Sequence, residues 1–186
     1  MRDPIALLTD STLGVVAWVF AARLWRTHRM WALAFVFTGM GAVCGGVFHG
    51  FGDRWLLLWK AATFSVGLAS FFLLAGTDRR LQALAVVKLV VYLSWMVTHD
   101  GFAYVIADYG LTLILIAIVH PAKRWVLACI ALSVAGAVVQ QARLSVHPRW
   151  FDFNDVYHVI QIAALWTLYR AAVTTSSTGP RSTPPT

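Results

Sequence analysis

The chain of 186 residues is 59% hydrophobic and only 12% charged, with a formal net charge of +7. A soluble domain carries about twice that share of charged residues, so the composition excludes a soluble globular fold. The basic residues stand in short clusters between apolar runs, which is typical of membrane orientation signals and argues against a nucleic-acid partner. We therefore expect membrane lipids as the partners of this chain.

Seven apolar segments follow one another along the chain. Each is close to the roughly 20 residues that a helix needs to cross the hydrocarbon layer. They lack the alternation of a membrane β-barrel, so the sequence predicts an all-α, polytopic membrane protein with a seven-transmembrane-helix bundle over residues 1–173. A Ser, Thr and Pro-rich tail, 174–186, is predicted to be disordered. The predicted spans are 4–23, 30–49, 54–75, 80–98, 101–119, 122–142 and 154–173.

The charges are distributed unequally between the two sides of such a bundle. We call the side where the first span begins the N-terminal side, and the side where the seventh span ends the C-terminal side. Nine Lys and Arg residues fall on the C-terminal side and four on the N-terminal side. Because cytoplasmic loops are enriched in Lys and Arg, we expect a bacterial inner (plasma) membrane with the N-terminus outside and the C-terminus in the cytoplasm. Seven of the eight Asp residues fall in the N-terminal half of the bundle, which predicts a polar site there.

Ionisable residues inside the predicted spans are the first functional candidates, because each costs about 2.5–3.5 kcal/mol on insertion scales. These intramembrane polar residues are Asp10, Lys60, Lys88 and Asp108. Lys88 and Asp108 lie on neighbouring antiparallel spans, which predicts an ion pair between them. The pair either fixes the packing of the helices or, with Lys60 and His99, lines the path of a proton-coupled carrier.

Two histidines lie at the predicted N-terminal side, His49 at the end of the second span and His158 about one turn into the seventh. Neutral imidazole is the commonest protein ligand for zinc-like metals, and a catalytic zinc needs three protein ligands with one open position. Asp53 or Asp155 would act as a ligand or as the general base. The candidates for the remaining ligands are His99, Asp53, Asp155, Asp10 and Asn154.

The seven spans, the position of His49 and the polar seventh segment NDVYHVIQIAALWTLYRAA resemble the CREST superfamily, which includes alkaline ceramidases and progestin and adipoQ receptors. The resemblance implies a zinc-dependent amide hydrolase that acts on lipids, with zinc held by a histidine of the second span and an HxxxH pair of the seventh. His49 and His158 match two of these ligands. Asn154 stands at the first histidine of the pair, Gly45 at the usual serine, and Lys60 near the usual acidic residue.

Three functions therefore stand as alternatives. The first is a metal-dependent hydrolase of lipid amides or esters, with a polar site on the N-terminal side. The second is a transporter or proton-coupled carrier. The third is a non-catalytic membrane subunit or receptor, which the nine tryptophans and the small-xxx-small glycines of the second span favour because they permit close helix packing. Those glycines are Gly41, Gly45, Gly46 and Gly50.

Overall fold

The computed structural model describes residues 4–51, 55–147 and 150–176, with no account of the side chains of 175 and 176. These residues form seven α-helices and a short 3-10 helix, Arg79–Leu81, which confirms the all-α prediction. Every predicted span lies within three residues of a helix at both ends. The helices are α1 (Pro4–Leu24), α2 (Arg29–Phe51), α3 (Leu56–Thr77), α4 (Gln82–Thr98), α5 (Phe102–Val119), α6 (Lys123–Ala142) and α7 (Phe153–Ser176).

Consecutive helices run in opposite directions, because the loops between them are short. The main packing partners are α1 with α2, α2 with α3, and α6 with α7, and α7 also packs against α1 to close the bundle. Among the elements described, α4 packs mainly against α3 and lies at the edge. The starts of α1, α3, α5 and α7 therefore lie together with the ends of α2, α4 and α6 on the N-terminal side.

The dense core of the bundle lies toward the C-terminal side. Its fully buried side chains come from the last turns of odd-numbered helices and the first turns of even-numbered ones, among them Leu24, Trp31, Leu74, Ile116 and Val126. Side chains of this size interdigitate in a packed core. A cavity lies instead in the middle of the bundle and on its N-terminal side.

The glycines of α2 allow close contact with its neighbours, as predicted. A Cβ atom on Gly41 would lie 3.2 Å from the carbonyl oxygen of Ala62 in α3, and one on Gly46 would lie 2.6 Å from Cβ of Asp10 in α1. Gly45 is the exception, since a Cβ atom there would meet nothing within 4 Å. The packing prediction is therefore confirmed for Gly41 and Gly46 and wrong for Gly45, which borders open space.

Six of the helical segments are long and apolar enough to cross a membrane: α1, α2, α3, Arg79–Thr98, α5 and α6. The outer surface agrees with this, since Val86, Val87, Val90 and Val91 of α4 are each at least half exposed. In lipid such side chains meet acyl chains instead of water. The bundle therefore fits an integral, multi-pass membrane protein.

His120 lies in the short loop between α5 and α6 on the C-terminal side, where a polar side chain is usually exposed. It is instead buried, with its ring 5.3 Å from the ring of Trp31 and its Nδ1 accepting a hydrogen bond from the Ala122 N–H at 3.2 Å. Burial lowers the pKa of His120, and the neighbouring charge of His28 lowers it further. A neutral His120 thus closes the end of the core, because a short loop over a packed core is itself buried.

Candidate functional site

A cavity of about 350 Å³ lies inside the bundle and is lined by residues of α1, α2, α3, α5, α6 and α7. Most of its wall is apolar, with side chains such as Leu13, Val66 and Leu165. Many of its polar groups lie on the N-terminal side of the bundle, where Asp10, His49, Asn154, Gln140 and His158 line it. A mainly apolar cavity with a few convergent polar groups is the usual form of a small-molecule site.

The central polar contact of this cavity joins α1 to α7. Nε2 of His158 lies 3.0 Å from Oδ1 of Asp10, and the two side chains are 9% and 5% exposed. Asp10 reaches this position because α1 and α2 approach closely at Gly46, where a side chain would overlap Asp10. Buried polar groups of this kind are stable only when they are hydrogen-bonded, so each side chain holds the other in place.

The pair continues into a longer network on the side away from the cavity. Oγ1 of Thr9 lies 3.1 Å from Nδ1 of His158 and 3.1 Å from Oδ1 of Asp155. The same hydroxyl also lies within hydrogen-bonding distance of two carbonyl oxygens of its own helix, that of Ile5 at 3.1 Å and that of Ala6 at 3.2 Å. Its single proton serves one of these acceptors at a time. The network thus engages both ring nitrogens of His158.

Asp155, a predicted ligand or general base, has a structural position at the start of α7. Its Oδ2 accepts from the Asp152 N–H at 2.9 Å, while Oδ1 of Asp152 accepts from the N–H groups of Asn154 at 2.7 Å and Asp155 at 3.3 Å. This reciprocal arrangement is a capping box, which satisfies backbone donors at a helix start. Asp155 thus fixes where α7 begins and orients Thr9, and it does not line the cavity.

His49 and Asn154 do line the cavity, as the zinc hypothesis requires of metal ligands. The ring of His49 contacts Trp59 at 6.1 Å between centroids, and it is close enough to His158 to interact with it electrostatically. Oδ1 of Asn154 accepts from Nε2 of Gln140 at 2.9 Å. The structure therefore places His49, Asn154 and His158 in the lining of the same cavity as Asp10.

The other predicted residues lie elsewhere. His99 stacks on Trp95 with ring centroids 3.9 Å apart, outside the cavity. Lys60 forms an ion pair with Asp100 at 2.5 Å and donates to the carbonyl of Met96 at 2.6 Å, so it caps the end of α4. Asp53 lies outside the described residues.

The predicted ion pair between Lys88 and Asp108 is confirmed, and it links α4 to α5. Lys88 Nζ also donates to Oγ of Ser70 at 2.9 Å, and Ser70 in turn shares a hydrogen bond of 2.7 Å with Thr112. None of these four side chains lines the cavity. The arrangement fastens the edge helix α4 to the bundle, which is the packing alternative stated for this pair.

A family model described as a family of unknown function, DUF6962, matches residues 5–176. The chain belongs to this family. No curated protein and no solved structure matches it. The family match carries no link to the CREST superfamily.

The hydrogen bonds of His158 compete with the binding of a zinc ion at this site. In the described ranges, no group of three His, Cys, Asp or Glu side chains is placed to hold a metal ion. Both ring nitrogens of His158 are already engaged, Nε2 by Asp10 and Nδ1 by Thr9. A metal needs the lone pair of one of these nitrogens, so it would have to displace one of those two contacts.

Sequence reasoning missed two members of the site. Gln140 gave a usable signal, because an amide in the last turns of an apolar span usually faces the bundle interior. Thr9 could not have been predicted, since a helical threonine commonly forms its hydrogen bond within its own helix. Thr9 does this too, because its hydroxyl donates to the carbonyl of Ile5 at 3.1 Å. Its contact across helices depends on how α1 and α7 are rotated against each other.

The two adjacent glycines of α2 provide a direct test of the Asp10 position. Gly46→Ala is expected to lower the stability of the full-length protein by about 1–3 kcal/mol, because the new methyl group overlaps Asp10. Gly45→Ala is the matched control and is expected to be neutral or stabilising, since it meets open space and alanine favours helix by about 1 kcal/mol. Thermal unfolding in one detergent measures both, and equal effects would contradict this placement of Asp10.

Proposed function

We propose that all seven helices cross the bilayer and that the cavity binds a small amphipathic molecule whose uncharged head group donates a hydrogen bond to the carboxyl group of Asp10, which His158 holds in place. One observation carries this proposal. The Asp10–His158 pair is buried at the polar end of a cavity that is otherwise mainly apolar. The apolar wall suits a hydrocarbon tail, and the polar end suits a hydrogen-bonding head.

The crossing of α7 is supported by its packing. It has 24 residues and packs against α1 and α6, two helices that are long and apolar enough to span. Asn154, His158 and Gln161 in its first turns line the cavity and Asp155 caps the helix, which explains why this part of its sequence is less apolar. The excess of Lys and Arg on the C-terminal side supports an orientation with that side in the cytoplasm of a bacterium.

The charge of the cavity determines the class of head group. Among the described residues, its lining includes the carboxyl group of Asp10 and no Lys or Arg. A carboxylate or phosphate head would therefore meet a like charge in a medium of low dielectric, which is unfavourable. The volume of about 350 Å³ equals that of about a dozen water molecules, so it suits a single short chain.

The geometry favours binding over nucleophilic catalysis. Thr9, His158 and Asp10 have the order hydroxyl, imidazole and carboxylate that hydrolytic triads use. The Thr9 hydroxyl is not part of the cavity wall, however, whereas Asp10 and His158 are. A molecule in the cavity reaches the last two groups and not the nucleophile.

Zinc-dependent hydrolysis of a lipid amide or ester is a second candidate, because His49, His158 and Asp10 line the same cavity. Elemental analysis of the purified protein separates the two proposals. About one equivalent of zinc, lost in His158→Ala, would support the hydrolase. A zinc content below about a tenth of an equivalent, unchanged in that variant, would support the proposal that the cavity binds its ligand without a metal.

The binding proposal is tested with decanamide and decanoate, two probes of equal chain length. Full-length protein in phosphatidylcholine nanodiscs is expected to bind decanamide saturably, and decanoate at pH 8 at least about tenfold more weakly, because Asp10 opposes the carboxylate. Asp10→Asn should reduce the ratio of the decanamide affinity to the decanoate affinity. The control Asp100→Asn should leave this ratio unchanged, since Asp100 does not line the cavity. Binding no greater than to empty nanodiscs, or equal affinity for both probes, would contradict the proposal.

A further inference from the structure

A cluster of two arginines and two tryptophans lies on the C-terminal side, where α6 begins and α7 ends. The Cζ atom of Arg170 lies 4.9 Å from the ring centroid of Trp125 and 5.5 Å from that of Trp166, and Cζ of Arg124 lies 5.5 Å from the Trp125 centroid. The two indole rings meet edge to face at 5.4 Å. We call these four residues the Arg–Trp cluster. Both guanidinium groups are thus held beside one ring.

The positive charge of the Arg–Trp cluster is not neutralised within the described part of the chain. Neither Arg124 nor Arg170 has a carboxylate within 4 Å in those residues. The only acidic residue expected on this side is Asp78, and its side chain accepts from the Arg80 N–H. The N-terminus of α6 adds a positive dipole end at the same place, which also favours an anion.

The surroundings of the cluster favour a lipid over a soluble anion. Leu127, one turn further along α6, is 56% exposed, and Trp166, one turn before Arg170, is 44% exposed. Both are apolar and lie on the hydrocarbon side of the charges. Tryptophans at the level of the head groups are typical of membrane interfaces. The indole rings also place apolar surface directly beside both guanidinium groups.

We propose that the Arg–Trp cluster binds the phosphate group of an anionic membrane phospholipid, with an acyl chain of that lipid lying along α6 beside Leu127. Arginine suits this ligand because its planar guanidinium group donates two hydrogen bonds to one phosphate. The site lies at the opposite end of the bundle from Asp10 and His158, so it does not depend on the function proposed for the cavity.

The test measures the affinity of full-length protein in detergent for dioctanoyl phosphatidylglycerol. Arg124→Gln with Arg170→Gln is expected to weaken binding by about fivefold for each arginine removed. The matched control, Arg79→Gln with Arg80→Gln, removes two exposed arginines from the same side and should change the affinity less than twofold. If the double variant does not fold, Arg124→Gln alone is expected to weaken binding about fivefold.

Three outcomes would overturn this assignment. Equal losses in the test and control variants would show a general attraction to surface charge. Equal affinity for dioctanoyl phosphatidylcholine, a zwitterionic lipid, would show that net negative charge is not recognised. Equal affinity for inorganic phosphate would show that the Arg–Trp cluster binds a free anion and does not recognise a lipid.

Discussion

Asp108→Asn is expected to destabilise the full-length protein by about 3–5 kcal/mol, because it leaves the charge of Lys88 without its counter-ion in a buried site. The side chains of Lys88 and Asp108 are only 11% and 8% exposed, and Ser70 is the one other side chain bonded to the ammonium group among the described residues. Equilibrium unfolding in detergent micelles, followed by circular dichroism, measures the loss.

The second lysine–aspartate pair of the chain is the control for this prediction. Asp100→Asn removes the partner of Lys60, but the Asp100 side chain is 49% exposed and Lys60 keeps its bonds to the carbonyls of Met96 and Val97. The expected loss is about 1 kcal/mol or less, as for other exposed pairs. If Asp108→Asn and Asp100→Asn lower the free energy of unfolding equally, the Lys88–Asp108 pair is not the buried, stabilising ion pair described here.

A double replacement distinguishes loss of the pair from loss of packing. Lys88→Met with Asp108→Leu removes both charges, and buried ion pairs replaced by apolar residues often leave stability unchanged or higher. Oδ2 of Asp108 is buried without a hydrogen-bond partner in the described residues, so its removal relieves a further cost. We therefore expect the double variant to be more stable than Asp108→Asn.

Gly110→Leu is expected to weaken decanamide binding at least about tenfold, because it fills the cavity. Gly110 lines the cavity on α5, and a Cβ atom there would meet nothing within 4 Å. The leucine side chain therefore enters open space that the ligand tail needs, and a mismatch of this kind costs about 1–3 kcal/mol or more. Nanodisc binding with radiolabelled decanamide measures the effect.

Ala107→Leu provides the matched control for the cavity. It adds a leucine to the same helix one turn away, at an exposed position that does not line the cavity. Its decanamide affinity should equal that of the wild type. If Gly110→Leu also binds normally while both variants unfold at similar temperatures, the probe does not occupy this cavity.

Composition and hydropathy were sufficient to predict most of the fold. Apolar segments of about 20 residues separated by short polar loops predict helices wherever they occur, because an unsatisfied backbone is not tolerated in lipid. That is why the helix bounds agree with the predicted spans to within three residues. The Lys88–Asp108 contact was predictable for the same reason, since short loops make successive helices neighbours.

The partners of His158 were not predictable in this way. Among the candidate carboxylates, Asp155 is nearest in sequence, yet it caps its own helix, and Asp10 from α1 meets the ring. Which side chain meets another across helices depends on the rotation and tilt of each helix, and a continuously apolar segment carries little information about either. The sequence by itself thus determined the helices, their order and the side on which polar groups gather. Only the tertiary structure decided that α1 and α7 meet at Asp10 and His158, because that contact rests on the space left by Gly46.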